Sequence, residues 1–275
     1  MVTCPIDLYA TATVVLSDGI GLVRGPRDCP KAVRAVALTL ERFGVDALDA
    51  ALSLESPIPR GKGMASSTAD VVASVAATAA ALGRPPDAEL EADIALLVEP
   101  SDGTMLPGVA LFDHVSGRVR RRLGDPPPID VLVLEFEAEL DTVAFNAIDR
   151  TAALRSRADS FRESLSLIEA GISTADSELI GRGASLSAST YQDVLAKPEL
   201  PQVFALAEAS GAVGVNIAHS GTVVGMLFNE DAERLEWAAA QARSRLLGLR
   251  ATHRHRLIGG GSEVRCRLLP DEVRC

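Results

Sequence analysis

Aromatic residues are scarce in this chain and make up only 4% of its 275 residues. The core must therefore be built mainly from Ala, Val, Leu and Ile. Hydrophobic residues at 47% and charged residues at 23% form an ordinary globular mixture with enough apolar surface for such a core. The length allows one large domain or two modest ones.

Positive charge is also in short supply. The chain has 27 Lys and Arg residues against 37 Asp and Glu residues, a net charge of −10, and its only lysines are Lys31, Lys62 and Lys197. A protein that binds nucleic acid needs a basic face to neutralise phosphates, so we expect no nucleic-acid partner. The charge balance is typical of a cytoplasmic enzyme that acts on a small molecule.

Cysteine pairs and long apolar runs are missing as well. The four cysteines, Cys4, Cys29, Cys266 and Cys275, form no Cys-x-x-Cys pair and have no metal-ligand spacing with histidine, so we expect reduced thiols. No apolar run reaches the roughly 20 residues that span a bilayer, and residues 1–5 lack the basic stretch of a secretory signal. We expect no membrane partner.

Hydrophobic patterning predicts a mixed α+β chain. In the first part we predict strands at 7–16, 20–23 and 51–56, helices at 31–43, 66–82 and 87–98, and a hairpin of 109–114 with 119–123. In the second part we predict strands at 130–136, 213–218 and 222–228, and helices at 142–171, 174–190, 201–210 and 230–246. Because Pro126 to Pro128 cannot continue a helix or a central strand, we place the boundary there, which gives domains 1–126 and 127–275.

The run from Pro59 to Thr68, Pro-Arg-Gly-Lys-Gly-Met-Ala-Ser-Ser-Thr, carries most of the chemical information. It lies between a predicted strand and a long buried helix. Its glycines allow the backbone to approach a ligand closely, and the free amides at the start of the helix favour an anion. Ser66 and Ser67 add hydroxyls for a phosphate oxygen or Mg²⁺, and Lys62 offers a mobile positive charge. The run therefore predicts a phosphate site.

Two better-known phosphate loops do not match this run. It is not a Walker A loop, because no Gly-Lys-Ser/Thr follows at the required spacing. It is not a dinucleotide-binding fingerprint either, since that pattern follows the first strand of its domain and lacks a Ser-Ser pair. An ordinary glycine turn with a Ser-Ser-Thr helix cap is the alternative that carries no function.

The full run resembles the second motif of the GHMP kinases, Pro-x-Gly-x-Gly-Leu-Gly-Ser-Ser-Ala. Here Met64, Ala65 and Thr68 stand in place of Leu, the third Gly and the final Ala. The resemblance implies an ATP-dependent kinase of two-domain fold, with a ribosomal-protein-S5-like first half and a ferredoxin-like second half. It implies that this loop wraps the ATP phosphates and that the second serine helps to hold Mg²⁺. The residues carried over as the nucleotide site are Pro59, Gly61, Lys62, Gly63, Met64, Ala65, Ser66 and Ser67.

Two further segments fit the same family. Glu99 follows the next predicted helix, where the resemblance implies a Mg²⁺-binding carboxylate, and Asp102 is the nearest group that could orient or deprotonate an attacking hydroxyl. If the phosphate loop is left out of account, the run from Pro100 to Gly103 indicates no more than an ordinary exposed turn. The run from Gly214 to Gly225 resembles the family's third motif and brings Ser220 and Gly221 to the nucleotide side. His219, within it, fits a structural hydrogen-bonding role better than a catalytic one.

Several segments resemble the branch of the family that phosphorylates L-threonine in cobalamin biosynthesis. They are Cys4 to Tyr9, Lys62 to Asp70, Glu99 to Asp102, Leu111 to His114 and Ala218 to Gly221. That branch carries a first motif, Pro-x-Ser-Cys-Gly-Glu, ahead of the segment that starts here at Cys4. This chain lacks it, so it is either truncated or dispenses with that element. An unpaired neighbouring strand would favour self-association, and hence a homodimer.

Three functions stay open at this point. The first is an L-threonine kinase that makes O-phospho-L-threonine with Mg²⁺ and ATP, by in-line transfer. The second is a kinase of the same family for another small hydroxylated metabolite, such as homoserine or an isoprenoid alcohol. The third is a catalytically silent ligand-binding relative. The missing first motif favours the third function, whereas the retained serines, Glu99 and Asp102 argue against it.

Overall fold

A computed structural model of the chain describes residues 1–137, 150–219 and 221–265. Its strands are β1 (Thr11–Ser17), β2 (Val23–Arg24), β3 (Asp49–Glu55), β4 (Val109–Phe112), β5 (Arg120–Gly124), β6 (Asp130–Phe136), β7 (Gly214–Ile217), β8 (Val224–Phe228) and β9 (Leu249–Arg256). Its helices are α1 (Pro30–Arg42), α2 (Ser66–Ala81), α3 (Ala88–Val98), α4 (Thr151–Ser156), α5 (Ala158–Thr174), α6 (Ser177–Thr190), α7 (Leu200–Ser210) and α8 (Ala232–Arg245). The predicted α+β class is confirmed.

The first sheet has the order β1-β3-β2 and carries α1 and α2. β1 pairs antiparallel with β3, from Thr11 opposite Glu55 to Ser17 opposite Asp49. The return strand predicted at 20–23 forms only as Val23–Arg24, and it pairs parallel to β3 instead of returning along β1. The Asp49 carboxylate accepts hydrogen bonds from the Ile20 and Leu22 amides at 2.9 and 2.8 Å, which carries the chain to the other side of β3.

Helix α2 is the central element of the first half. Its run of Ala and Val side chains is buried on most sides, as the sequence predicts, because α2 packs against α1, α3 and β1. Val71 and Val75 are fully buried there. This packing holds the start of α2, and the loop before it, in a fixed position.

The second sheet has the order β7-β8-β6-β9, and β6 is buried along its whole length. Its alternate side chains enter two cores, as the period of a strand requires. Leu132 and Leu134 pack with α7 and α8, whereas Val131 and Val133 pack with α5 and α6. The hairpin predicted before it also forms, as β4 with β5.

The two halves of the chain are interwoven. After β9 the chain returns to the first half, where the amides of Gly260 and Gly261 donate to the carbonyls of Gly108 and Thr104, both at 2.9 Å. The division at 126/127 stays a prediction. The helix predicted over 142–171 is broken at Arg157, between α4 and α5, and its first eight residues lie outside the described ranges.

No helix within the described ranges is both long and apolar enough to cross a membrane. Cys4 and Cys29 are free thiols. The other two cysteines, at 266 and 275, lie outside the described residues.

Candidate active site

The loop before α2 has the backbone of an anion-binding loop. Gly61, Gly63 and Ala65 all have positive φ, at 72°, 82° and 55°, and alternate with residues of ordinary conformation. The first two are glycines, which adopt this region without a steric penalty. Ala65 carries a Cβ there, at the position where the family pattern has its third glycine, and so holds a strained conformation.

The first turn of α2 supplies amide groups to the same place. No described side chain caps this turn, and it contains no acidic residue, whereas α3 is capped by Asp87. The free amides and the positive end of the helix dipole therefore face the space beside the loop, where a bound anion would lie. Together, loop and helix form a cradle that suits phosphate.

Ser67 and Glu99 meet at the edge of this cradle. Ser67 Oγ donates to Glu99 Oε1, and Lys31 Nζ donates to Glu99 Oε2 at 2.5 Å. The Glu99 side chain is 21% exposed, so the pair is open to a ligand. Lys31 was not among the residues predicted for the site. No local motif marks it, because α1 brings it close only in the folded chain.

Asp102 lies one turn of chain beyond Glu99 and is half-buried. Its amide donates to Thr68 Oγ1 at 3.2 Å, which ties the Asp102 turn to the start of α2. Burial raises the pKa of the Asp102 carboxyl, and the Glu99 carboxylate raises it further against the opposing charge of the Met1 ammonium. A carboxyl with a raised pKa is better suited to accept a proton.

The Lys62 side chain does not extend freely from the loop, contrary to what the sequence suggests. Its side chain is buried at 2% exposure, and its ammonium donates to the carbonyls of Phe136 and Glu137 at 3.1 and 3.4 Å. The ammonium therefore ties the loop to the end of β6, which does not fit a mobile charge. Its role beside the phosphates stays a prediction.

The run from Gly214 to Gly225, which resembles the family's third motif, packs directly against the phosphate loop. The amides of Thr222 and Val223 both donate to the Lys62 carbonyl, at 3.1 and 3.3 Å. A Cβ on Gly221 would lie 2.1 Å from that carbonyl oxygen and 2.4 Å from Gly63 Cα, so only glycine fits here. Ser220, predicted as a nucleotide contact, lies outside the described residues.

A second cluster adjoins these loops. The rings of His114 and His219 lie 4.8 Å apart, and Tyr191 lies 5.4 Å from His219. The buried Lys197 ammonium donates to the Gly221 carbonyl. Tyr191 and Lys197 were not predicted as site residues, because they reach the site only through the packing of α6 and the segment that follows it.

A phosphate cradle with an adjacent hydroxyl–carboxylate pair and a half-buried aspartate is the equipment of a phosphotransferase. The comparisons with known proteins agree. Residues 30–111 match the family model "GHMP kinases N terminal domain", and residues 161–244 match "GHMP kinases C terminal". The chain belongs to the GHMP kinase family, whose members use ATP as phosphate donor.

Two relatives are similar over most of the chain. The L-threonine kinase of Salmonella typhimurium is 32% identical over 249 residues, covering 88% of this chain and 81% of the relative. The L-threonine kinase of Citrobacter freundii is 30% identical over 272 residues, covering 96% and 92%. The family resemblance read from the sequence is confirmed.

Solved structures show the same two-domain fold. A homoserine kinase from Cytophaga hutchinsonii superposes with a TM-score of 0.74 at 19% identity, over 94% of this chain and 89% of that one. The mevalonate kinase of L. major, solved with R-mevalonate, gives a TM-score of 0.71 at 14% identity, over 95% and 90%. At this identity the likeness concerns the fold alone.

Proposed function

We propose that this kinase transfers the γ-phosphate of ATP to the hydroxyl of L-threonine and makes O-phospho-L-threonine for cobalamin biosynthesis. The observation that carries the proposal is the meeting of Ser67 and Glu99 at the uncapped start of α2, with Asp102 on the adjoining turn. Two relatives of about 30% identity that bear the name L-threonine kinase support the choice of acceptor.

The phosphates of ATP would lie against the loop and the first turn of α2. There the amides after Gly63, with the Ser66 hydroxyl, supply hydrogen-bond donors to the phosphate oxygens. The tight contact between Gly63 and Gly221 closes the loop from the other side. The predicted nucleotide contacts of Pro59, Met64 and Ala65 are part of the proposal.

Mg²⁺ fits the residues present. It prefers oxygen ligands and commonly takes one or two from the protein and the rest from phosphates and water. Ser67 Oγ and Glu99 Oε1 are such a pair of protein ligands. When bound, Mg²⁺ would neutralise charge on the transferred phosphoryl group. Ser67 and Glu99 would hold it, and Lys31 balances the charge of Glu99.

Asp102 is proposed to orient the acceptor hydroxyl and to take up its proton as the oxygen bonds to phosphorus and the bond from the γ-phosphorus to the bridging oxygen of ADP breaks. Its raised pKa matches this task. Most of the rate enhancement would come from positioning and from charge stabilisation by the loop. We also propose Lys62 as a contributor to catalysis, through the loop that it holds in place.

Two alternatives to L-threonine kinase activity were left open by the sequence. The homoserine and mevalonate kinases share the fold, so another small hydroxylated acceptor would use the same phosphate site. A silent ligand-binding protein is a weaker alternative, because a sensor has no need of a serine paired to a carboxylate at the phosphate cradle.

The proposal places the enzyme in the cytoplasm, without a nucleic-acid or membrane partner, and as a homodimer. β1 is at the edge of its sheet among the described strands, and Val15 on it is 63% exposed, which suits pairing with a second copy. Light scattering over a range of concentrations tests this assembly, and a monomer at every concentration would exclude it.

The function is tested by ADP release from the purified protein with Mg²⁺ and ATP, against L-threonine, L-serine, L-homoserine and mevalonate. We expect strong turnover with L-threonine. Turnover with a different acceptor would replace the substrate and keep the kinase. Folded protein that binds ATP and turns over none of them would favour the silent relative.

A further inference from the structure

The carboxylate of Glu99 is shared between the starts of two helices. Ser67, the second residue of α2, donates to Glu99 Oε1, and Lys31, the second residue of α1, donates to Glu99 Oε2 at 2.5 Å. Glu99 itself ends α3 in an extended conformation, with its amide donating to the Ala95 carbonyl at 2.9 Å. Both carboxylate oxygens are therefore occupied in the nucleotide-free protein, one by a hydroxyl and the other by a cation.

The ammonium of Lys31 differs from those of the other two lysines. Lys62 and Lys197 are buried and donate to backbone carbonyls, whereas the Lys31 side chain is 53% exposed. An ammonium has three donors, and within the described ranges Glu99 is the one acceptor of Lys31. Because the side chain is long and half in solvent, it can move to another nearby acceptor without disturbing the packing of α1.

The charges around Lys31 favour an added anion. Lys31 lies in the first turn of α1, where the helix dipole is positive and no acidic residue opposes it. The uncapped start of α2, joined to Lys31 through Ser67 and Glu99, adds a second positive helix end. A divalent cation that approaches Glu99 without a nucleotide has to compete with Lys31, because two cations on one carboxylate repel each other.

We propose that Lys31 makes the binding of metal and nucleotide interdependent: it holds Glu99 in the nucleotide-free protein and donates to a phosphate oxygen of ATP when a divalent cation shares Glu99 with Ser67. This deepens the proposed function and rests on its Mg²⁺ site. A cation without ATP displaces Lys31 and offers it no other anion. ATP without a cation draws Lys31 away and leaves the Glu99 carboxylate facing the phosphates. Each ligand therefore strengthens the binding of the other.

The test measures binding without turnover. Mn²⁺, a paramagnetic substitute for Mg²⁺, is titrated into the full chain and its free concentration is followed by electron paramagnetic resonance. Calorimetry then gives the Kd of the complex of Mn²⁺ with a non-hydrolysable ATP analogue. Lys31→Gln removes the charge and Lys31→Arg keeps it. Arg42→Gln is the matched control, because Arg42 is an exposed cation in the last turn of the same helix.

We expect the two affinities of Lys31→Gln to move in opposite directions. Without nucleotide, it should bind Mn²⁺ roughly 10-fold more tightly than wild type, since the competing cation is gone. It should bind the Mn²⁺–analogue complex roughly 10-fold more weakly, because a phosphate oxygen loses a charged donor. Lys31→Arg and Arg42→Gln should keep the weak Mn²⁺ binding of wild type. Adding Glu99→Gln to Lys31→Gln should abolish the gain in Mn²⁺ affinity.

Unchanged, weaker or undetectable Mn²⁺ binding by Lys31→Gln would overturn the inference, and so would a gain that survives Glu99→Gln. A loss of both affinities would assign Lys31 a structural role and would also overturn it. If wild type phosphorylates L-threonine while Lys31→Gln leaves both affinities unchanged, the function stands and the inference falls. If L-threonine is not phosphorylated but the affinities move in opposite directions, the acceptor proposed above falls and the role of Lys31 stands.

Discussion

Among single residues, Asp102 has the most specific proposed role in the mechanism. If its carboxylate takes the proton of the acceptor, kcat/KM must fall as the pH drops through its pKa. Because burial raises that pKa, the fall should occur above the ordinary value of aspartate. Asp102→Asn should lower kcat about 100-fold or more and remove this acid limb. The measurement is a pH profile of both proteins, and an unchanged limb in the variant would assign the titration to another group.

Ala65 offers a second prediction at the same scale. Its φ of 55° is costly for a residue with a Cβ, by about 1–2 kcal/mol. Ala65→Gly relieves this strain but frees the unfolded chain, so we expect a neutral or stabilising effect of about 0.5 kcal/mol. Ala69→Gly, inside α2, should instead cost about 1 kcal/mol. Urea unfolding of both variants decides, and equal losses would mean that Ala65 is unstrained.

Between elements, the contact of the two glycine loops is the critical one. Gly63→Ala places a Cβ 2.6 Å from Gly221 Cα and 2.7 Å from Ala218 Cβ. Gly83→Ala has a similar positive φ of 70° but puts its Cβ in open space among the described residues. Both variants should lose about 1–2 kcal/mol from strain. Gly63→Ala should lose more stability than Gly83→Ala and should also raise the KM for ATP. Equal losses of stability in the two variants, with an unchanged KM for ATP, would show that the loops are not in contact.

Elements were also the scale at which sequence analysis was most reliable. Helix α2, strand β6 and the β4–β5 hairpin were predictable, because their apolar periods and their turns are local signals. The pairing of β2 with β3 was not, since it depends on the Asp49 carboxylate meeting amides almost thirty residues earlier in the chain. The break at Arg157 lies within a continuous helical pattern, and no local sequence signal marks it.

The candidate site followed the same rule. Ser67, Glu99 and Asp102 lie in recognisable motifs, and the fold brings them to one place. Lys31 and Tyr191 lie in no motif, so only the packed structure connects them with the site. Lys62 lies in the predicted motif, but its side chain is not a mobile charge, because the buried ammonium donates to carbonyls at the end of β6.

For the whole molecule, Glu91 couples the end of the described chain to the first half. Its buried carboxyl accepts a hydrogen bond from Ser262 at 2.5 Å, and burial together with the Asp87 charge raises its pKa to about 7. Below about pH 7 the folded protein therefore holds the protonated form of Glu91, while the unfolded chain ionises near pH 4.5. As the pH rises from about 4.5 to 7, the contribution of Glu91 to the free energy of unfolding should fall by roughly 3 kcal/mol.

Glu91→Gln should remove this part of the pH dependence, while Glu41→Gln, on the exposed side of α1, should keep it. The free energy of unfolding in urea at pH 5 and pH 7.5 measures the difference. Identical slopes in wild type and Glu91→Gln would show that Glu91 titrates normally.

The central claim is that Glu99 and Ser67 serve phosphate transfer to L-threonine. The most direct measurement is the rate at which O-phospho-L-threonine forms from ATP and L-threonine with Mg²⁺, followed by mass spectrometry. Wild type and a control, Glu41→Gln, should form it at the same rate. Glu99→Gln and Ser67→Ala should be slower by about 100- to 1,000-fold while unfolding at nearly the same urea concentration. Near-wild-type rates in both site variants would contradict the account.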